Sequence, residues 1–518
     1  MAKDQKDGLF VLVKSLTKSE KRQFKLYVGR LDVNADSKFL NLFMHLDKAA
    51  SYNEKQILKS TNIQKRQLAN VKTHLYKQIL ISLKTNPVHQ NIRSQIREQL
   101  DFASILYHKG LYKQSLKILD KAKELAVAHE EKNLAYEIVE LEKIIESQYI
   151  TRSISTRTTQ LTTQARDLSN SNIIASQLSN LSLQMYTEFI KTGCVKDKEE
   201  SEKVTAYFYD RLPTYEFENL GFREKLWLYK AHLWYSFLMQ DFLNCYKYAS
   251  KWVDLFYQDK KMIVLNPVFF IKGNHYLLES LFFLKEKDKY QSTLEQLEKT
   301  LIGKNFPKNE NLEALSFLYI NLNKISQYFI DGSFKDGLPL IEKVEKDLLG
   351  FKDRLDEHHQ MVFYYKFASM HFGAGNYSET IFYLDKIINN KTLTMREDLL
   401  CFSRILSLIA HYEAGQDEHL ETYLRNVYKF LIKMNDLYEV QKEMIKFIRG
   451  LQDIYPHDLK NAFQDLLLKL YNYEKHPYER RAFLYLDVIS WLESKVLKKP
   501  INQIVRDKYL TNSRIQSM

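Results

Sequence analysis

Apolar residues recur along most of this chain at spacings of three and four, the period of helices that bury one face. In the first hundred residues the pattern predicts five helices: over about 9–16, from Lys18, over 37–49, over 53–60 and from Ile63. Thr17 and Glu20 fit a capping box, which sets the beginning of the second helix. Gly and Pro, which interrupt helices, number only 14 and 8 among 518 residues. The sequence therefore predicts an all-α protein.

A glycine followed at fixed offsets by small and apolar residues recurs beyond the first hundred residues. The clearest copy consists of Gly110, Tyr112, Ser115, Leu119 and Ala122. Further copies begin at Gly332 and Gly375, and weaker ones at Gln240, Asp288 and Gly415. Glycine readily adopts the left-handed conformation that ends a helix, so each copy predicts a turn between two helices. These turns are 130, 48, 44, 43 and 40 residues apart, which leaves room for two degenerate hairpins in 130–231 and about eight in all.

The small and aromatic residues around these turns resemble the tetratricopeptide-repeat signature. In the first copy the resemblance is carried by Ala103, Leu106, Tyr107 and the residues from Gly110 onward. The interval exceeds the tetratricopeptide period of about 34 residues and is nearer the roughly 40 to 47 residues of HEAT-type repeats. The resemblance covers about residues 94–495. It implies a right-handed α-solenoid of about eight helical hairpins with tetratricopeptide-like turns and a longer period.

These patterns divide the chain into four parts. Residues 1–98 are predicted to form a small basic helical N-terminal domain, and 99–455 are predicted to form the repeat array. Pro456 and Pro477 separate two helices within 456–496, which we expect to cap the open end of the array. Residues 497–518 contain Lys498-Lys499-Pro500, and we expect them to form a weakly structured tail.

Positive charge is concentrated in the first hundred residues. They contain 19 Lys or Arg and 8 Asp or Glu, out of 76 and 64 in the whole chain, and so carry nearly all of the net charge of +12. This asymmetry favours a polyanionic partner, although a solvated or protein-binding surface gives the same composition. The short helix, turn and long helix predicted over 53–84 also resemble a helix-turn-helix. Candidate polyanion-binding residues are Lys18, Lys21, Arg22, Lys25, Arg66, Asn70 and Lys77.

A second basic stretch lies between Glu146 and Asp167, where no acidic residue occurs. Arg152, Arg157 and Arg166 are interspersed there with Ser, Thr and Gln. A helix of this kind can line a groove that accepts an acidic peptide or a phosphate backbone. A solvent-facing helix in a degenerate repeat has the same composition, so both interpretations stay open.

Catalytic and metal-binding motifs are absent from the sequence. No GxxxxGK[ST], HExxH, CxxC or GxSxG motif occurs, and the three cysteines are far apart. The run from Asp356 to His359 offers metal ligands, but adjacent helical positions point about 100° apart and do not converge. We therefore expect no catalytic residue, cofactor or metal. The apolar run Leu9–Val13 is too short for a signal peptide or a membrane span, so we expect a cytoplasmic protein without a membrane partner.

The leading hypothesis is a non-enzymatic scaffold or adaptor that binds a protein partner on its solenoid surface, with the basic N-terminal domain as an anchor. The alternative is a nucleic-acid-binding regulator or ribosome-associated factor that contacts DNA or RNA through residues 1–98. An enzyme built from scattered residues is a third possibility, since fold does not determine function. No motif in the sequence favours this third class.

Overall fold

The computed structural model describes residues 7–30, 38–86, 91–148, 154–351, 354–390, 397–415, 420–433, 439–451, 454–455, 457–474, 476–481, 483 and 487–516. Regular structure in these ranges is helical throughout, and they contain no strand. The prediction of an all-α protein is therefore confirmed. The chain divides into two compact units, residues 1–168 and 169–518, and each is described by itself. No helix in the described ranges is both long enough and apolar enough to cross a membrane.

Nine helices begin in the described part of the first unit. They are α1 (Gly8–Ser15), α2 (Lys18–Gly29), α3 (Lys38–Lys48), α4 (Glu54–Ser60), α5 (Lys65–Lys84), α6 (Ile92–His108), α7 (Tyr112–Ala128), α8 (Lys132–Gln148) and α9 (Ile154–Thr192). The predicted capping box is present, because the Thr17 side chain accepts a hydrogen bond from the Glu20 backbone N–H and Glu20 accepts one from that of Thr17. Helices α1–α3 pack around α5, with Phe24, Phe43 and Leu75 buried between them.

Sixteen α-helices begin in the described part of the second unit. They are α10 (Lys198–Arg211), α11 (Phe222–Leu238), α12 (Phe242–Gln258), α13 (Lys261–Leu265), α14 (Pro267–Phe283), α15 (Lys287–Ile302), α16 (Glu310–Ile330), α17 (Phe334–Phe351), α18 (Glu357–Ala374), α19 (Tyr377–Ile388), α20 (Glu397–Glu413), α21 (Leu420–Lys433), α22 (Glu439–Gly450), α23 (Leu459–Glu474), α24 (Val488–Leu497) and α25 (Ile501–Gln516). Short 3₁₀ helices occur at Phe217–Asn219 and Glu479–Arg481.

Left-handed residues mark the turns between paired helices. Such residues lie at five of the six predicted turn positions, with φ between 55° and 86°: Gly110, Gln240, Gly332, Gly375 and Gly415. Two more left-handed residues, Glu130 and Gly193, fall in the region where degenerate hairpins were expected. In the second unit five hairpins follow one another: α11–α12, α14–α15, α16–α17, α18–α19 and α20–α21. We call the first helix of each hairpin its A helix and the second its B helix.

The turn predicted at Asp288 is wrong by three residues. The left-handed residue is Lys285, with φ of 58°, and Asp288 lies inside α15. The register is set by Tyr290, which is fully buried at the fifth position after the turn and donates a hydrogen bond of 2.7 Å to the Asn323 backbone oxygen. Counted from Asp288, the fifth position would be Thr293, which is only half-buried.

Small residues at the fifth position after the turn allow the two helices of a hairpin to approach closely. The Ser115 hydroxyl donates a hydrogen bond of 2.7 Å to the Ala103 backbone oxygen, and Thr380 donates one of 3.4 Å to that of Ala368. At Gly337 an added Cβ would lie 2.8 Å from the Met370 side chain, so only glycine fits there without rearrangement. Ser115, Thr380 and Gly337 thus all allow the two helices of a hairpin to approach closely.

The hairpins of the second unit repeat one packing arrangement. Each A helix packs on its own B helix, and each B helix packs on the A helix of the next hairpin. Helix α14 also packs on α16, α16 on α18 and α18 on α20, so consecutive A helices contact one another. A single apolar cluster fills these contacts and includes the fully buried Trp252, Phe270 and Phe363. The second unit is therefore held together by one contact pattern used several times.

The C-terminal residues differ from the prediction in two ways. The helix expected over 478–496 is not continuous in the described residues, because a 3₁₀ turn occupies Glu479–Arg481 and α24 begins after its cap residue Asp487. The segment expected to be a weakly structured tail forms α25, in which Ile501 and Ile504 are buried. Pro500 lies just before α25, where a proline costs no hydrogen bond, because the first N–H groups of a helix have no partner inside it.

Residues of this C-terminal segment contact the turns of several hairpins. Arg480 donates a hydrogen bond to the Gln240 backbone oxygen. The Trp491 indole donates one of 2.7 Å to Glu413, which lies just before the turn at Gly415. An added Cβ on Gly332 would lie 2.8 Å from the Asn502 backbone oxygen. The segment is therefore packed against hairpins that are distant from it in sequence.

Two helical glycines provide a matched test of the close packing between helices. In Gly373→Ala the new Cβ would lie 2.5 Å from the Phe334 ring, whereas at Gly350 it would meet nothing within 4 Å. We expect Gly373→Ala to lower the free energy of unfolding by roughly 1–3 kcal/mol through overpacking. Gly350→Ala should raise it by about 1 kcal/mol, because alanine has the higher helix propensity. Urea denaturation followed by circular dichroism measures both, and equal effects would contradict the packing described.

Candidate binding surfaces

The exposed side of α5 carries basic and amide side chains without acidic neighbours in the helix. No Asp or Glu occurs between Glu54 and Glu98, a stretch that includes the whole of α5. The candidates Arg66, Asn70 and Lys77 are all exposed on this helix. Their spacing of four and seven residues places them on one stripe. The Arg66 guanidinium donates a hydrogen bond of 2.8 Å to Gln64, which lies just before the helix.

The candidates on α2 fall into two groups. Lys18, Arg22 and Lys25 are exposed, whereas Lys21 is half-buried and forms an ion pair of 2.8 Å with Asp47. Helix α2 packs on α5, so the two basic helices belong to the same bundle. The predicted helix pair over 53–84 is present as α4 and α5, joined by residues 61–64. Its use as a helix-turn-helix stays a prediction.

The three arginines predicted to line one groove are placed differently. Arg152 lies outside the described residues. Arg157 is 13% exposed and approaches Glu142 to 2.8 Å and Asp120 to 3.6 Å. Arg166 is 69% exposed and lies 3.3 Å from its neighbour Asp167. Arg157 therefore has carboxylate partners inside the first unit, and only Arg166 presents its charge mainly to solvent.

Glu142 explains the position of Arg157. Its side chain is fully buried and also receives a hydrogen bond of 2.6 Å from Lys123. Burial raises the pKa of the Glu142 carboxyl, and the nearby Lys123 and Arg157 act against this effect. A buried carboxylate needs such partners, because an uncompensated charge in a protein interior is costly. The Arg157 interaction thus stabilises the fold of the first unit.

The structure reveals a second group of charged residues that sequence reasoning missed. Trp227 and Lys230 of α11 meet Phe269 and Lys272 of α14, and we call these four residues the lysine–aromatic cluster. The two rings are 5.4 Å apart at 82°, and the Lys230 ammonium lies 4.6 Å from the Trp227 centroid and 5.7 Å from that of Phe269. All four side chains are half-buried. The cluster places two positive charges at the junction of two A helices.

The lysines of this cluster are held in an unfavourable environment. Burial lowers the pKa of Lys230 to about 8, and the neighbouring charge of Lys272 adds to the effect. Burial also lowers the pKa of Lys272, against a weaker opposing influence of Asp356. Within the described ranges neither ammonium group is in ion-pair contact with a carboxylate. An anion placed between them would therefore be attracted by both.

Further along α14 the same helix presents a carboxylate. The Glu279 side chain is 41% exposed, and its partner at 3.6 Å is the His275 imidazole. Burial lowers the pKa of His275, so the imidazole is neutral at pH 7 and provides no positive charge. Tyr276 and Tyr319 lie near this carboxylate, and burial raises the pKa of both phenols. Glu279 is thus a partly exposed negative charge beside aromatic rings.

A third half-buried lysine lies on α18. The Lys366 ammonium donates a hydrogen bond of 2.6 Å to Ser326 and is 5.9 Å from the rings of Phe282 and Phe329. Burial lowers its pKa to about 8, with a partly compensating effect of Glu279. The A helices α11, α14 and α18 therefore all carry charged side chains among apolar neighbours. These interruptions of the apolar pattern are visible in the sequence and are a signal by which the group could have been found.

A cleft of about 260 Å³ is lined by α10, α11 and α12. Within it the His232 imidazole lies flat on the Tyr248 ring at 4.4 Å, and burial lowers the pKa of His232 to about 4. The Ser236 hydroxyl donates its hydrogen bond of 2.7 Å to the His232 backbone oxygen and not to the imidazole. The cleft therefore holds no hydroxyl paired with a base, the arrangement that activates a serine nucleophile.

The run from Asp356 to His359 begins helix α18. The Asp356 carboxylate accepts a hydrogen bond of 2.8 Å from the His359 backbone and lies 2.6 Å from its imidazole. These contacts lower the pKa of Asp356 to about 2. In the part of the chain that the structure describes, no three His, Cys, Asp or Glu side chains are grouped as they would be around a metal.

Neutral substitutions at Arg157 and Arg166 test the different roles of the two arginines. Arg157→Met should lower the free energy of unfolding by roughly 1–3 kcal/mol, because it removes one of the two cations beside buried Glu142. Arg166→Met should change it by less than about 0.5 kcal/mol, as is usual for surface sites. Chemical denaturation of the full chain provides both values. If the two variants were equally stable, the internal role of Arg157 would be refuted.

No protein-family model matches the chain, and no curated protein or solved structure matches it either. The resemblance of the hairpins to tetratricopeptide repeats therefore rests on the residues around the turns, such as Gly110, Gly332 and Gly375. Function has to be inferred from the chemistry of two surfaces. One is the exposed basic side of α5, and the other is formed by the charged side chains of the A helices.

Proposed function

We propose that this protein is a non-enzymatic helical-repeat scaffold in which the hairpins of the second unit form an α-solenoid that binds a protein partner. The observation that carries the proposal is the repeated packing of A and B helices around left-handed turns. Arrays of this kind present a row of equivalent helices, and an extended partner can contact several of them at once. The partner surface is proposed to lie on the A helices.

The side chains of the A helices support this choice of surface. Lys230, Lys272 and Glu279 are charged and partly shielded from water, and they have no oppositely charged side chain in ion-pair contact within the described residues. Such groups lower stability unless a partner compensates them. A non-enzymatic role is supported by the absence of catalytic motifs from the sequence and by the inactive arrangement of Ser236 and His232.

A second candidate function is nucleic-acid binding through residues 1–98, as in a regulator or a ribosome-associated factor. The specific observation in its favour is the exposed stripe on α5, where Arg66, Asn70 and Lys77 have no acidic residue in the same helix. These residue types contact phosphates and base edges in nucleic-acid complexes. This function is compatible with the scaffold, because the two surfaces belong to different units.

Site-specific photo-crosslinking tests the scaffold proposal in the full-length protein. A benzophenone amino acid replaces either Tyr276, which is half-buried on A helix α14 with its ring packed on Trp234 and Trp252, or Phe382, which is 52% exposed on B helix α19. Circular dichroism verifies that both variants are folded before irradiation. After irradiation in the native cell and nuclease treatment, we expect a discrete protein adduct at position 276 and none at position 382. Gel electrophoresis and mass spectrometry detect the adducts. Loss of the adduct on nuclease treatment, or equal crosslinking at both positions, would count against the proposal.

Charge reversal tests the nucleic-acid function. The full-length double variant Arg66→Glu with Lys77→Glu is compared with Lys343→Glu and Lys346→Glu, two exposed lysines of α17 that give the same change in net charge. Fluorescence anisotropy with duplex DNA and single-stranded RNA should show about tenfold weaker binding for the first pair only, and binding should weaken steeply as salt rises. No binding by the wild-type protein at low salt would exclude this function.

A further inference from the structure

Helix α14 presents opposite charges on one stripe. Lys272, Tyr276 and Glu279 are separated by four and three residues, so their side chains leave the same side of the helix. Seven residues of α-helix correspond to a rise of about 10 Å between Lys272 and Glu279. The Lys230 ammonium rests against the paired rings of Trp227 and Phe269, and Lys272 follows Phe269 by three residues, nearly one turn of α14. The two lysines are near enough for the charge of Lys272 to lower the pKa of Lys230 further. The positive end of the stripe is therefore doubly charged.

Neither end of the stripe is neutralised by an ion pair within the described residues. Within the described ranges the lysines of the lysine–aromatic cluster have no carboxylate in ion-pair contact. The positive charge of Lys272 disfavours the charged form of Lys230, and Asp356 favours that of Lys272 only weakly. At the other end, the neutral His275 lies 3.6 Å from Glu279, and the positive charge of Lys366 acts on Glu279 without forming an ion pair with it. A ligand that placed a negative group at the cluster and a positive group at Glu279 would satisfy both ends. The aromatic rings of the cluster would exclude water from the first contact.

The alternation of charge selects the class of ligand. A nucleic acid presents a phosphate at every nucleotide, and its backbone would be repelled by the exposed part of Glu279. A polypeptide can change the sign of its charge from one side chain to the next. In the polyproline II form of an extended peptide each residue rises about 3.1 Å and every third side chain returns to the same face. Two side chains three positions apart are then roughly 9 Å apart on one face, close to the rise of about 10 Å between the two ends of the stripe.

We infer that the lysine–aromatic cluster and Glu279 form a two-point site for an extended segment of a protein partner that carries an acidic and a basic side chain three positions apart. The acidic side chain binds between Lys230 and Lys272, and the basic one binds Glu279 beside Tyr276. The inference rests on the proposed scaffold function and adds the charge pattern of the partner. It applies to either chain direction of the segment, because side-chain charges alone are recognised.

Two labelled peptides with the same amino-acid composition test the spacing between the acidic and basic side chains, using the full-length protein. The probe repeats Glu-Gly-Ser-Lys, and the control peptide has all its Glu residues in one half and all its Lys residues in the other. Fluorescence anisotropy should show at least about tenfold tighter binding of the spaced peptide, as expected for two additional charge-assisted contacts. Equal affinity for the two peptides would overturn the inference.

Neutral variants locate the two contacts. Lys230→Met with Lys272→Met should weaken binding of the spaced peptide and of an all-Glu peptide by about tenfold and leave binding of an all-Lys peptide unchanged. Glu279→Gln should weaken binding of the spaced peptide and of the all-Lys peptide and leave binding of the all-Glu peptide unchanged. Lys343→Met with Lys346→Met, on exposed positions of α17, is the matched control. Thermal unfolding monitors folding, and removing buried charge should not lower the melting temperature. Identical effects of the cluster and control pairs would overturn the site.

Two further outcomes separate this inference from the functions proposed above. If position 276 crosslinks to a protein while the spaced peptide shows no preference, the scaffold stands and the charge pattern is wrong. If neither is observed, both the scaffold and the site fail. Binding of single-stranded RNA that is lost in Lys230→Met with Lys272→Met would assign the cluster to nucleic acid and overturn the peptide inference.

Discussion

The close approach of paired helices just after a left-handed turn is the constraint on which the second unit depends. The chain reverses at a residue such as Gly375, and the next helix must then pass its predecessor with a small side chain between them, as at Thr380. Larger residues fit only where the geometry shifts, as at Tyr290, whose hydroxyl bonds to the next hairpin. Because this contact fixes the angle between A and B helices, it also fixes how hairpins stack.

Stacking of the A helices in turn decides which polar residues meet. Lys230 and Lys272 are separated by a whole hairpin in sequence, yet they become neighbours because α11 and α14 bring Trp227 and Phe269 together. The same stacking places Tyr319 of α16 over His275 of α14, with ring centroids 4.4 Å apart. The charged surface is therefore a consequence of the packing pattern, and it would not exist on any single hairpin.

Sequence reasoning succeeded where a local signal determines local structure. The capping box at Thr17 and the glycine turns are of this kind, since one or two neighbouring residues suffice to define them. It failed where a residue acts against its average preference, as when Lys285 takes the left-handed conformation. It also failed where the decisive partner is remote in sequence. Arg157 looked like a surface residue until Glu142 was found beside it.

The two basic surfaces of this protein differ in how strongly their charges destabilise the folded state. Arg66 and Lys77 are exposed, so water and salt screen them and the fold tolerates them whether or not they bind anything. Lys230 is half-buried between aromatic rings, and the depression of its pKa to about 8 means that folding disfavours its charged form. A methionine would fill the same space without that cost. An anionic group bound there, as proposed, would offset this cost, and for that reason the cluster on α11 and α14 supports the proposal of a binding site more strongly than the more numerous lysines of the first unit do.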